Sequence, residues 1–110
     1  MLPLQSAQLE GVRAKITKAW SPVDVVCFND QVVRMAKLEG EYHWHKHDNE
    51  DEMFFCYDGE FEIQLRDGPS ARLSKGDVVV VPKGTEHCPK ADKPAFVLLF
   101  EPYATDTKGD

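Results

Sequence analysis

The stretch HWHKHDNEDE, residues 43 to 52, sets three histidines at alternate positions and follows them with acids and one amide. Side chains alternate along a strand, so His43, His45 and His47 share one face if extended backbone continues from Gly40. Neighbours in that series stand about 7 Å apart at Cα, close enough for two imidazoles to reach one ion. Tyr42, Trp44 and Lys46 then face the other way, as packing or interface residues. A lone histidine here would read as part of a solvated polar edge; three in alternation point to a ligand set.

The elements around this stretch are β in character. VDVVCF (23–28) ends at the turn pair Asn29-Asp30, and QVVRMAKL (31–38) alternates and ends near Gly40. EMFFCY, Asp58-Gly59 and EFEIQL read as a two-residue hairpin. That hairpin pairs Tyr57 with Glu60, Phe55 with Glu62 and Met53 with Gln64 on one face. On the other it pairs Cys56 with Phe61, Phe54 with Ile63 and Glu52 with Leu65. The second face is apolar except for Glu52, so Glu52 points inward and needs a partner, most simply a cation. VVVV (78–81) and FVLLF (96–100) are short apolar strands, each followed by proline. Leu98 and Phe100 join Phe54, Phe61, Ile63 and Leu65 as expected interior residues, with Cys56 as a filler among them. Short strands with a turn every eight to twelve residues make the expected fold all-β, a small antiparallel β-barrel or jelly roll.

The 110 residues suit one domain: a lead-in over 1–20 (a short helix or irregular, broken at Gly11), a barrel over 21–103 and a tail over 104–110. Thirteen basic residues against nineteen acidic ones, without a basic stripe, argue against nucleic acid as a partner. The apolar runs are too short to span a bilayer, so no membrane partner is expected. MLPLQSAQLEG has no positive start followed by an apolar stretch and reads as no secretory signal. Three widely spaced cysteines, Cys27, Cys56 and Cys88, suit free thiols in a reducing compartment, so a cytoplasmic location is expected.

Two segments together resemble the signature motifs of the cupin superfamily, small β-barrels with a metal in the lumen. The first is His45-x-His47, four residues, Glu52, six residues, Gly59; the second is Gly76, five residues, Pro82-x-Gly84, two residues, His87. The alternative registration, His43-x-His45 with Glu50, puts Tyr57 where the first motif has glycine, and taking Asp51 as the carboxylate, with three residues between it and His47, fails the same glycine count. Gly40 stands one residue nearer to the first histidine than is usual, and Ala91 replaces the usual closing Asn. The resemblance implies His45, His47, Glu52 and His87 as metal ligands. Three imidazoles and a carboxylate suit one divalent transition ion (Mn, Fe, Co, Ni or Zn) better than Ca or Mg. Four protein ligands on an octahedral ion leave positions open, unlike a closed tetrahedral zinc site. His43, a neighbour of the set, is a candidate proton shuttle because its unperturbed pKa lies near neutrality.

The expected function is a metal-dependent enzyme acting on a small polar or anionic molecule at those open positions. The resemblance covers oxygenases, decarboxylases and isomerases, and fold does not choose among them. A phosphosugar isomerase is disfavoured because Lys75 and Lys83 lie in turns. The alternative is a module that binds or senses a small ligand without turnover, with the metal as its anchor. Met53, Phe55 and Tyr57 make an apolar row on the outer face of the hairpin, which a homodimer or an N-terminal strand would cover.

Overall fold

The computed structural model describes residues 4–110, so the first three residues of the expected lead-in lie outside the described residues. Its elements are α1 (Leu9–Lys15), β1 (Val23–Phe28), β2 (Gln31–Glu41), β3 (Glu52–Asp58), β4 (Glu60–Leu65), β5 (Ala71–Ser74), β6 (Val78–Val81) and β7 (His87–Pro102). The strands are antiparallel and form the all-β jelly roll that the alternating pattern predicts. β1 and β2 make a hairpin through Asn29, which takes the left-handed backbone (φ 52°) that asparagine tolerates.

β7 is the organiser. Over residues 90–102 it pairs with β2, from Gln31↔Pro102 to Glu41↔Lys90, with an irregularity between Leu38 and Gly40. Its other edge is shared: residues 96–100 pair with β3 and residues 87–90 with β4. The sequence shows only its last third as a strand, because Pro89 and Pro94 look like breakers. Both prolines are accommodated within it.

The expected hairpin between β3 and β4 does not form. Asp58-Gly59 is a corner at which the chain leaves one part of the sheet for another; β3 pairs with β6 and β7, and β4 with β5 and β7. Local turn chemistry demands a positive φ at Gly59 (80°) in either arrangement, and long-range pairing with β7 decides between them. A Cβ at Gly59 would lie 3.1 Å from the Ala95 Cα, so glycine is also needed for this close approach.

The inward parity survives the change of partner, because it depends only on alternation within each strand. Glu52, Phe54, Cys56, Phe61 and Ile63 are all buried. In β7 the expected parity is wrong by one residue. Val97 and Leu99 enter the lumen cluster with Phe54, Phe61 and Ile63, whereas Leu98 and Phe100 pack on the outer face with Val33 and Met35. An all-apolar run carries no alternation from which to choose a face.

Helix α1 covers much of the outer apolar row. Leu9, Val12 and Ile16, at helical spacing, pack against Phe55, Tyr57 and Phe100. Tyr57 donates its hydroxyl to Glu10, and Arg13 pairs with Asp58 at 2.6 Å. Gly11 sits inside the helix and does not break it, since tertiary packing outweighs a propensity cost of about 1 kcal/mol. The two glycines should therefore respond oppositely to alanine. Gly59→Ala should lower stability by about 1–3 kcal/mol, while Gly11→Ala, whose Cβ meets nothing within 4 Å, should raise it by roughly 0.5–1 kcal/mol. Urea midpoints of the two variants check both signs.

Candidate metal centre

Backbone hydrogen bonds sew the two motif segments together before any side chain is considered. His45 N donates to His87 O (3.0 Å) and His87 N to His45 O (2.9 Å), a two-way bridge outside the regular strands. Gly84 N donates to His47 O (2.7 Å) and Tyr42 N to Pro89 O (3.0 Å), and the Asp51 side chain adds to these by accepting from Lys83 N (2.8 Å). Glu52 opens β3 opposite Val81, the last residue of β6. The chain from 42 to 51 is irregular apart from the bridge at His45, yet His45 and His47 still turn inward.

The structure brings His45, His47, Glu52 and His87 together: one ligand atom from each lies within 4.8 Å of those of the other three. All four residues are buried, His87 completely. His87 Nδ1 donates to Thr85 O (2.9 Å) and His45 Nδ1 to His43 O (3.0 Å). A carbonyl only accepts, so each Nδ1 carries the proton and, in the neutral ring, each Nε2 keeps a lone pair. His87 Nε2, both nitrogens of His47 and Glu52 Oε1 are buried without a hydrogen-bond partner. Glu52 Oε1 lies 3.3 Å from His47 Nε2 and 3.6 Å from His87 Nε2. Buried polar atoms left unpaired are costly. Here they converge, and the donor set fits a divalent transition ion.

Burial, reinforced by the neighbouring His87 and His47, lowers the His45 pKa to about 4, so this ring is neutral at physiological pH. Burial opposes charge at His47 as well, but Glu52 outweighs it and raises the pKa. Burial would also raise Glu52; the adjacent His47, His87 and Glu101 outweigh it, and its carboxyl is held below the usual range.

A family model for the Cupin domain matches residues 31–101, well over half of the chain. The chain belongs to the cupin domain family. A cupin-2 domain containing protein from Shewanella frigidimarina NCIMB 400 has a similar structure, with a TM-score of 0.85 at 32% identity over 89% of this chain and 95% of that one. An uncharacterized protein, YdbB of Bacillus subtilis (strain 168), is 44% identical over 59 residues, 54% of this chain and 52% of that protein. Acireductone dioxygenase of Tuber melanosporum (strain Mel28) is 32% identical over 76 residues, 66% of this chain and 43% of that protein. The cupin thus spans about half the length of the curated relatives it matches.

Beside the four residues lies a cavity of about 40 Å³. His45 and Glu52 stand on its wall with Leu38, Phe54, Val97 and Leu99. Trp20 and Tyr42 also line it, stacked on each other with ring centroids 4.5 Å apart. The outward orientation expected for Tyr42 is therefore corrected: its ring meets that of His45 edge-on. Parity fails there because β2 has already ended at Glu41. Trp44 does face elsewhere, under the Arg66 guanidinium. His43 is exposed and lines an outer basin with Trp44, Lys46, Arg66 and Lys108; His45 borders both this basin and the inner cavity. Its Nε2 donates to Lys108 O at 2.8 Å.

Three further groups were not found from sequence. Segment 104–110 is a flap over the first motif: Gly109 packs on His45, Asp110 N donates to Lys46 O (3.0 Å), and the Asp110 carboxylate accepts from Asp48 N (2.6 Å). Glu101 is 1% exposed, sits beside Glu52 and takes Arg34 Nη1 at 2.9 Å on Oε1. Arg34 also binds the Asp24 carboxylate (2.9 Å) and the carbonyls of Tyr103 (2.9 Å) and Thr105 (3.0 Å), tying the flap to the barrel. The one-residue parity error in β7 is what hid Glu101, since inward Val97 and Leu99 place residue 101 inward too.

Burial, and then the adjacent Glu52, push the Glu101 pKa up to about 9, against the pull of Arg34. In the metal-free protein Glu101 thus keeps a proton that the unfolded chain has released, so stability falls as pH rises from the ordinary 4.5 towards 9. Glu101→Gln keeps the shape and removes that slope. Melting temperatures of metal-free protein across this window should fall more steeply for the wild type than for the variant; parallel curves would contradict the assignment.

Proposed function

We propose that this cupin is a metal-dependent enzyme in which His45, His47, Glu52 and His87 hold one divalent transition ion (Mn, Fe, Co, Ni or Zn) and a small polar or anionic molecule meets it from the adjoining cavity. The observation that carries the reading is the set of buried, unpartnered nitrogen and oxygen atoms converging beside a cavity. When bound, the ion supplies Lewis acidity towards an oxygen of that molecule and, for Mn or Fe, one-electron chemistry. Among oxygenase, decarboxylase and isomerase reactions, the partial likeness to acireductone dioxygenase favours an oxygenase.

The chain's own residues have separable tasks in this reading. The Nδ1 bonds to Thr85 O and His43 O keep His87 and His45 in the tautomer that offers Nε2 inward. Leu38, Phe54, Val97 and Leu99 exclude water from one side of the site. His43 exchanges protons with solvent through Nδ1, because Nε2 is committed to the Lys108 carbonyl. Val78 and Val80, more than half exposed on β6 beside Met53, offer a second copy of the chain an outer face for a homodimer. The flap over the first motif favours the second reading, capture of a ligand without turnover.

Protein purified without added metal should carry about one equivalent of a transition metal by elemental analysis, and His87→Ala should lose metal and activity together. Less than roughly a tenth of an equivalent, with no uptake on reconstitution, would refute the metal reading. Oxygen consumption and product formation across a panel of small acids and diols then separate turnover from binding.

A further inference from the structure

Resting on the metal reading above, we infer that the molecule taken by this site carries at most one negative charge, at its metal-facing head, and has an uncharged, apolar body. The cavity wall supplies the argument. Among the described residues lining it, none is a lysine or arginine; the one charged side chain is Glu52, and the neutral polar groups are those of Trp20, Tyr42, His45 and Thr107. The Trp20 indole N–H is already spent on Glu39 O, at 3.0 Å. The rest of the wall is apolar, chiefly Ala36, Leu38, Phe54, Val97 and Leu99.

Charge decides the class. A divalent ion beside ionised Glu52 leaves one positive charge, which a single anionic head neutralises. A second carboxylate or a phosphate would face hydrocarbon without a cation, and an unpaired buried charge is strongly disfavoured. The nearest internal cation, Arg34, is already occupied by Glu101, Asp24 and two carbonyls. Lys46, Arg66 and Lys108 line the outer basin and not the inner cavity. Size limits the body: about 40 Å³ holds roughly three waters, the bulk of a few heavy atoms beyond the metal-facing head. Trp20 and Tyr42, stacked on each other, add aromatic surface to the wall.

The test uses two ligands with one head. 2-Hydroxybutanoate and malate share the hydroxy-acid end and differ in a methyl against a second carboxylate. Each is titrated into cobalt-reconstituted protein in a Trp44→Phe background, following Trp20 emission and cobalt absorption. 2-Hydroxybutanoate should bind at least about tenfold tighter than malate, and inorganic phosphate should compete poorly. Thr107→Lys, which adds a cation at the half-buried cavity edge, should shrink that ratio by strengthening malate while leaving cobalt content unchanged. Malate binding as tightly as 2-hydroxybutanoate, or a ratio unmoved by Thr107→Lys, overturns the inference. Failure to take up cobalt sinks the metal reading instead, and Trp20 emission still reports which ligand the cavity prefers.

Discussion

A carboxylate buried at the end of an apolar barrel is the constraint around which this molecule is arranged. Glu52 is 2% exposed, and its Oε1 faces imidazole nitrogens that are themselves without aligned partners. Such a group is stable only if positive charge compensates it and neighbours hold it still. His47 and His87 do part of this, since a ring nitrogen of each lies within 3.6 Å, and backbone carbonyls set the orientation of His87 and of His45. A cation at the shared centre would satisfy one orphaned atom each on His47, Glu52 and His87 at once. The same burial keeps His45 neutral, so it could serve as a ligand without the loss of a proton.

Strand β7 delivers both halves of this arrangement. Its first residue is His87, and its last inward residue is Glu101, which stands behind Glu52. Between them Val97 and Leu99 build the cavity wall. One long strand with partners on both edges thereby fixes the ligand, the wall and the acid behind it as a rigid unit. Arg34, on the neighbouring β2, carries the coupling outward, because the guanidinium that hydrogen-bonds Glu101 also holds the carbonyls of Tyr103 and Thr105. The flap that continues to Asp110 and packs Gly109 on His45 is therefore anchored to the same buried network as Glu52.

Alternation within a strand is a local property, and wherever polar and apolar residues alternate it is legible in the sequence. That is why Glu52, Phe54, Cys56, Phe61 and Ile63 could be placed on the inner face even though the hairpin used to place them does not exist. FVLLF contains no alternation, and the inner and outer faces of β7 came out exchanged; Glu101 went unnoticed for the same reason. Tyr42 was misplaced because it sits just beyond the end of β2, where the period of two no longer applies.

The amino-acid sequence by itself determined the all-β class and the inward acid, which follow from residue type and from periods of two to a few residues and need no knowledge of distant partners. The grouping of His45, His47, Glu52 and His87 was implied by the resemblance of two motif segments to the cupin pattern. Only the tertiary structure decided that β3 and β4 part at Gly59 to pair with β7, and that Arg34 and Glu101 stand behind the carboxylate. It alone also placed Trp20, Tyr42 and Thr107 on the cavity wall. Each of these depends on which strand edge meets which across long stretches of chain, and a local pattern leaves that choice degenerate until the whole core is packed.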